Sequence, residues 1–487
     1  MTILRLSLHG IVSISIFTVV SFSYGLSEAT TIQGKTMLTV QGTLQVTAKP
    51  KGNNPQISPT SSNAALIAPE ILGRPTDKSV TVNVVPATAM VIAYDYGTVS
   101  GTYSTHTTSQ TAAAGIPLET LIDGLQPNTR YYYRLHYGDN TGPEHMFMTQ
   151  RAPGSTFTFD IQGDSHPERI GKQFEPDLYR RTLLSAATDQ PDFYMTIGDD
   201  FSVDTLKTIN ENIVKSLYIN QRQYLDLVGA PVFLVNGNHE QASMANLNGT
   251  ANNVAVWAQT ARNAYYPMPV PDSFYTGDTE QVQFIGLLRD YYAFTWGDAL
   301  FVVIDPYWHS PKAVDNSFGS DHDPKGQRDL WNNTLGDTQY QWFSHILETS
   351  KAKYKFVFTH HINGTGRGGL ELAGTYEWGD AAHLALHRPG WDKTIQQLMV
   401  DNHVTIFFQG HDHIFVHQQL GGVVYQTLPE PANPFYTAEN ETAYHSGDKL
   451  PNSGHVRVTI SPDGVKVDYV RSYLEKSDEL AFSYTVK

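Results

Sequence analysis

The sequence predicts a small all-β sandwich followed by a larger mixed α/β domain with two stacked sheets. Three observations carry this. Residues from about 69 to 150 have strand composition and turn signals. From about Ser155, apolar runs alternate with segments of helical spacing. Five of those runs end abruptly in residues that bind metals. Residues 157–161 run into Gly163-Asp164-Ser165-His166, and residues 193–197 into Gly198-Asp199-Asp200. Residues 231–235 run into Asn236-Gly237-Asn238-His239-Glu240, residues 354–358 into Thr359-His360-His361, and residues 404–408 into Gly410-His411-Asp412-His413. Five such endings in one chain predict neighbouring strands that deliver Asp, Asn and His to a common point.

Read in order, the chain begins with Arg5 and an apolar stretch from about Ile11 to Phe22, closed by Ser23-Tyr24-Gly25. Residues 1–25 read as a secretory signal peptide, which predicts a secreted or periplasmic protein with no stable membrane insertion after cleavage. Residues 26–68 form an extension, and its segment 49–63 is rich in Pro, Ser, Asn and Gly, as a linker is. Residues 69–152 form the sandwich: Val80 to Val84 and Met90 to Tyr94 have strand composition. Leu125-Gln126-Pro127-Asn128-Thr129-Arg130-Tyr131 leads into alternating Tyr131, Tyr133, Leu135 and Tyr137. That segment resembles the tyrosine corner of immunoglobulin-like and fibronectin type III-like sandwiches, where a Tyr hydroxyl pins a turn.

Residues 153–487 form the α/β domain. Leu206, Ile209, Ile213 and Leu217 keep helical spacing between the second and third strand ends. Asp337 to Leu347 predicts a capped helix with Trp342, Phe343, Ile346 and Leu347 on one side, and Ile395, Leu398 and Met399 predict another. Tyr291 to Phe294 predicts a strand closed by a turn at Trp296-Gly297-Asp298. Strand-like pieces return at Val423-Val424-Tyr425 and from Val456 to Ile460, before a hairpin turn at Asp463-Gly464. An all-β end to an α/β domain predicts stacked mixed sheets in place of one parallel sheet.

Composition removes several chemistries. The chain has 487 residues, a formal charge of −15 and no cysteine. Disulfides, thiolate ligands and cysteine nucleophiles are excluded, so any metal is held by nitrogen and oxygen. The acidic balance gives no electrostatic reason to hold a nucleic-acid backbone. The donor set suits Zn, Mn or Fe. Gly163, Gly198, Gly237 and Gly410 allow sharp turns that aim the next side chain back over a strand end.

The ordered set Asp-x-His, Gly-Asp, Gly-Asn-His-Glu, His-His and Gly-His-x-His, spanning residues 164 to 413, resembles the calcineurin-like metallophosphoesterase superfamily. The preceding sandwich resembles the N-terminal domain of purple acid phosphatases. The resemblance implies an αββα catalytic domain and two divalent or trivalent metal ions. It implies that Asp164, His166 and His413 hold the first ion, that Asp199 bridges, and that Asn238, His360 and His411 hold the second. It further implies that His239 sits beside the metals as general acid, while a water activated by both ions attacks phosphorus directly. His361 stands next to the ligand His360 and either touches substrate or packs beside it. Arg367, in the glycine-rich loop from Asn363 to Gly369, is a candidate grip for a phosphate oxygen, and Asn238 and His239 are further candidate substrate contacts. Glu240 reads as a partner that orients a ligand. Glu377-Trp378 and Tyr307-Trp308-His309 read equally as pocket lining or as packing.

The chain departs from purple acid phosphatases at one place. They carry a metal-binding Tyr three residues after the bridging Asp, and here that residue is Ser202. His166 is read as filling the vacated ligand place, and the basis for assigning Fe(III) or an acid pH optimum goes with the phenolate. The Asp-x-His pair resembles diesterase-rich branches, whereas the sandwich resembles a monoesterase family, so both ester classes stay open. The expected partner is a small phosphate ester. The alternatives are a surface adhesion protein with a degenerate phosphoesterase domain, which a complete ligand set argues against, and a metal-dependent nuclease, which the missing basic stripe argues against.

Overall fold

A computed structural model of the chain describes residues 29–32, 35–38, 65–204, 208–314, 329–364 and 366–487. The predicted signal peptide, the 49–63 linker and Leu206 lie outside the described residues. The chain divides into two compact units, residues 1–59 and 60–487. In the first, Ala29–Ile32 pairs antiparallel with Lys35–Leu38.

The second unit opens with the all-β sandwich. One sheet holds Leu66–Gly73, Val80–Pro86 and Leu118–Ile122, so its first strand crosses the predicted start at residue 69. The other centres on Met90–Gly97 and Arg130–Tyr137, which pair antiparallel. Alternation along Arg130–Tyr137 sends Tyr131, Tyr133 and Leu135 inward against Val80, Val82, Val84, Ile92 and Phe147. The Tyr131 hydroxyl accepts a hydrogen bond from the Gln126 backbone N–H at 3.0 Å, pinning the turn before its own strand.

The remainder is an α/β domain of two mixed sheets packed face to face, with helices on both outer faces. The six-stranded sheet runs Val232–Leu234, Tyr194–Thr196, Phe157–Gln162, Gly454–Ser461, Gly464–Arg471, Glu479–Val486. The first three are parallel and the last three join antiparallel. In the eight-stranded sheet, Ala299–Val303, Tyr354–Phe358, Ile406–Gln409 and Val423–Thr427 are parallel neighbours. The five strands that end in metal-binding residues therefore divide three and two between the sheets. Each is buried on both faces, which explains their unbroken apolar runs.

Between the sheets lies an aromatic core. Phe159 meets the edge of Phe301 at 5.2 Å and stacks on Phe193 at 5.4 Å, and Phe358 stacks on Phe408 at 5.1 Å. Outside the eight-stranded sheet, Val302, Val357, Phe407 and Tyr425 pack with Phe343, Leu347, Leu398 and Met399, the last four from helices Asp337–Thr349 and Ile395–Asp401. One predicted helix starts later than expected, and another starts as expected but without a side-chain cap. The one expected from Leu206 begins at Glu211, because the Asn210 side chain accepts from the Ile213 N–H and ends the preceding loop there. The helix Asp337–Thr349 begins where expected, but its N-cap is Gly336, which has no side chain to cap it, and the Asp337 carboxylate takes the Trp391 indole N–H. The predicted hairpin forms with its turn at residues 462–463, one residue earlier than expected, because Gly464 already pairs with Ser461.

One buried cation joins sandwich to catalytic domain. Arg222, on helix Glu211–Leu225, donates to the Pro69 carbonyl at 2.8 Å, to the Asn83 side chain and carbonyl at 2.7 and 2.6 Å, and to the Tyr265 carbonyl at 3.0 Å. Burial lowers its pKa to about 10, which leaves it charged at neutral pH. Arg222→Met should strand those acceptors and cost about 2–5 kcal/mol in urea unfolding. An unchanged unfolding midpoint would show that the brace contributes nothing.

Candidate metal centre

The strand ends bring all seven expected ligands together, and all seven are buried. Asp164 and His166 follow Phe157–Gln162, Asp199 follows Tyr194–Thr196, and Asn238 follows Val232–Leu234. His360 follows Tyr354–Phe358, and His411 and His413 follow Ile406–Gln409. The backbone is bent hard to achieve this. Positive φ occurs at His166 (46°), Asp199 (58°), His411 (67°) and His413 (56°), a conformation that non-glycine residues rarely adopt.

The donor atoms form two adjoining groups. In the first, His413 Nε2 lies 3.2 Å from His166 Nε2 and 3.1 Å from Asp164 Oδ2. In the second, His411 Nδ1 lies 3.0 Å from Asn238 Oδ1 and 3.3 Å from His360 Nε2. Asp199 Oδ2 stands between them, 3.0 Å from His360 Nε2 and 3.8 Å from His166 Nε2. Ligands bound to one ion at about 2.0–2.2 Å are themselves about 3.0–3.5 Å apart, so these spacings are edges of a coordination polyhedron. Asp164 Oδ2 is buried and faces the imidazoles of His413, His166 and His360 at 3.1, 3.7 and 3.9 Å, as a ligand atom shared with them would. The residues fit a pair of metal ions.

The outer atoms of the ligands are occupied, which fixes the inner ones. Asp164 Oδ1 accepts from the His411 N–H at 2.7 Å, and Asp199 Oδ1 from the His239 N–H at 2.9 Å. His360 Nδ1 is 2.9 Å from the Ile197 carbonyl, and His413 Nδ1 is 3.1 Å from Glu430. His166 Nδ1 faces Glu168 at 3.0 Å and Ser202 at 3.2 Å. Such contacts orient a ligating imidazole and choose its tautomer. Ser202, three residues after Asp199, thus supports the His166 imidazole in the first donor group.

A scan against protein-family models matches residues 157–415, more than half of the chain, to calcineurin-like phosphoesterase. The chain belongs to the calcineurin-like phosphoesterase family. With its clustered His and Asp donors, this phosphoesterase is a metal-dependent hydrolase. Among solved structures, one titled "Structure of PhoD" aligns at 16% identity over 85% of this chain and 88% of its own, with a TM-score of 0.59, a likeness of fold. A Plasmodium protein, GAP50, described as the anchor in the inner membrane complex, aligns at 13% identity over 68% of this chain and 88% of its own, TM-score 0.38. A Staphylococcus aureus structure titled as a putative 5'-nucleotidase aligns at 15% over 68% and 56%, TM-score 0.34. The comparison with curated proteins gave no match.

Other expected site residues of the phosphoesterase fall as follows. His239 lies beside the donors, with Nε2 3.8 Å from Asp199 Oδ2. Its Nδ1 is held by both oxygens of Asp204, at 2.7 and 2.8 Å. Burial pulls its pKa down, but the Asp199 charge and the Asp204 bond outweigh it and leave the imidazole raised to about 10. His361 stacks on His411 at 3.9 Å, and its Nδ1 meets the Tyr307 hydroxyl at 2.9 Å. Arg367 bonds the His411 carbonyl and, at 3.3 Å, Asp412. Glu377 binds Arg388 at 2.7 Å and the Leu335 N–H, and Trp378 packs against Phe407, so that pair belongs to the outer core. Sequence reasoning missed Asp204, Glu430, Glu168 and Arg169. A carboxylate five residues after Asp199 was a usable sign of the first, while Glu430 comes from a loop with no motif.

Two consequences are testable. A Cβ on Gly198 (φ 103°) would stand 2.6 Å from the Gly237 nitrogen, forcing the Asp199 turn to move. Gly198→Ala should therefore lower bound metal per chain, read by elemental analysis of folded protein; a full complement would remove the steric argument. In the metal-free protein, burial lowers the imidazole pKa values, but Asp199 and Asp164 leave His360 raised to about 9, and Glu430 and Asp164 leave His413 raised to about 10. Both are protonated at neutral pH, so metal uptake should release protons and affinity should rise as pH climbs toward about 9. A pH-independent affinity in a competition titration would contradict this.

Proposed function

We propose that the chain hydrolyses phosphate esters by direct attack of water, with His239 as general acid. The observation that carries the reading is the pairing of a complete two-ion donor set with a proton donor at its edge. Asp164, His166 and His413 would hold one ion, Asn238, His360 and His411 the other, and Asp199 would bridge. What a metal pair supplies here is an acidified water and positive charge against the phosphoryl oxygens.

The protein's own residues supply the rest. Asp204 occupies Nδ1 of His239, so the exchangeable proton resides on Nε2, beside the donor set. From there it can pass to the leaving oxygen as its bond to phosphorus breaks, while the proton lost by the attacking water goes to solvent, from which the imidazole is reprotonated. Asp204 holds the ring in this tautomer and stabilises its charged form. No serine or cysteine nucleophile is required, which accords with the absence of cysteine.

The test is turnover of p-nitrophenyl phosphate and bis(p-nitrophenyl) phosphate by protein supplied with Mn, Zn or Fe. His239→Asn should lower kcat by about 10²- to 10⁴-fold with metal content retained, and Asp204→Asn by less. Hydrolysis that persists in both variants, or in chelator-treated protein, would refute the assignment. A trapped phosphoryl-enzyme would refute direct attack.

A further inference from the structure

We propose that Arg169 grips the outward non-bridging oxygen of a phosphomonoester dianion, and so makes the site prefer monoesters to diesters. This rests on the phosphate-ester reading above. Arg169 lies three residues beyond His166, in a turn closed by its own N–H to the His166 carbonyl at 2.9 Å and by the Phe174 N–H to the Arg169 carbonyl at 3.1 Å.

Its guanidinium is braced on two sides by groups that also serve the first site. Nε donates to Glu168 Oε1 at 3.2 Å, and the same oxygen lies 3.0 Å from His166 Nδ1. Nη1 donates to Gln173, whose amide nitrogen reaches Glu439 and lies 3.3 Å from His413 Nδ1. The third arm, Nη2, points at His239 Nε2 from 3.4 Å. Nδ1 of His239 is committed to Asp204, so Nε2 is the ring atom turned toward the donor set and toward Nη2, which bears only N–H groups. The two side chains thus meet at one point at the edge of the donor set, with exposures of only 24% and 17%. With its other two arms anchored, the guanidinium presents Nη2 where an anionic oxygen beside His239 would be met by a fixed N–H fork. Arg367 is not so placed: it is bound to the His411 carbonyl and to Asp412, with its side chain 40% exposed.

The chemistry of the two ester classes turns this geometry into selectivity. A phosphomonoester has three non-bridging oxygens sharing two negative charges. Two of them can face a metal pair, and the third needs a separate donor. In a diester that third place holds an esterified oxygen with a carbon substituent, which offers a guanidinium no charge and crowds it. A forked cation there rewards the monoester and penalises the diester.

The experiment compares wild type, Arg169→Gln and Arg169→Lys, all metal-loaded. It reads kcat/KM on p-nitrophenyl phosphate and on bis(p-nitrophenyl) phosphate, the affinity for inorganic phosphate by calorimetry, and metal content. Wild type should prefer the monoester. Arg169→Gln should lower the monoester-to-diester ratio of kcat/KM at least about tenfold and weaken phosphate binding by about tenfold or more, with metal retained. Arg169→Lys should recover part of the phosphate affinity. An unchanged ratio overturns the selectivity whatever the absolute rates, and loss of metal in both variants marks a structural role and overturns the grip. If wild type cleaves neither ester yet Arg169→Gln still weakens phosphate binding, the phosphoesterase reading fails and the grip stands. If wild type cleaves esters and phosphate affinity is indifferent to Arg169, the grip fails and the phosphoesterase reading stands.

Discussion

Glu240 accepts hydrogen bonds from four backbone N–H groups: Gly237 at 2.7 Å, Asp199 at 3.2 Å, Asp200 at 2.9 Å and Phe201 at 3.1 Å. One buried carboxylate thereby fastens the loop after Val232–Leu234 to the loop after Tyr194–Thr196. The turn it holds is strained, with Asp199 in the left-handed region, and it presents Asp199 to both donor groups at once. Burial, then the charges of Asp199 and Asp200, raise the Glu240 pKa to about 8, so the same interaction is both the anchor of the centre and a site of electrostatic tension. His239 depends on it too, since its backbone N–H bonds Asp199 Oδ1.

Much of this was legible because the pattern is local. A strand buried on both faces writes itself as an apolar run, and a ligand at its end writes itself as Asp, Asn or His after glycine. The candidate donors therefore stand out one by one, while their division between two ions is what the family resemblance implies. What the sequence did not show is which sheet each strand joins: the five runs look alike, yet three enter one sheet and two the other. One helix start differs from the apolar spacing because a single side chain decides it, as Asn210 does for the helix at Glu211. The supporting groups were hidden for another reason. Glu430 reaches His413, and Glu168 reaches His166, by contacts that no periodicity encodes. Arg367 stood out in a glycine-rich loop, while Arg169, in an unremarkable turn, is the cation that faces His239.

The sandwich is fastened to the catalytic domain by the same economy. Arg222 spends its guanidinium on backbone carbonyls and one amide, not on a carboxylate, and the Asn83 amide returns a bond to the Ala264 carbonyl at 2.9 Å. A guanidinium can be buried in this way because its N–H groups are met by several acceptors. The attachment involves helix Glu211–Leu225, which follows the Asp199 loop, so a disturbance of the sandwich would be felt near the strand ends.

The strand Phe157–Gln162, which carries the first two ligands, has the C-terminal strand Gly454–Ser461 as its antiparallel neighbour, in register from Phe157 opposite Ile460 to Ile161 opposite Val456. The earliest ligand-bearing strand thus waits for nearly the last segment of chain before its sheet is complete. Pairings so distant in sequence are slow to form, because a long loop must close before any contact rewards it. The centre would therefore mature late, after synthesis has passed every ligand, and metal acquisition would report that the six-stranded sheet is complete.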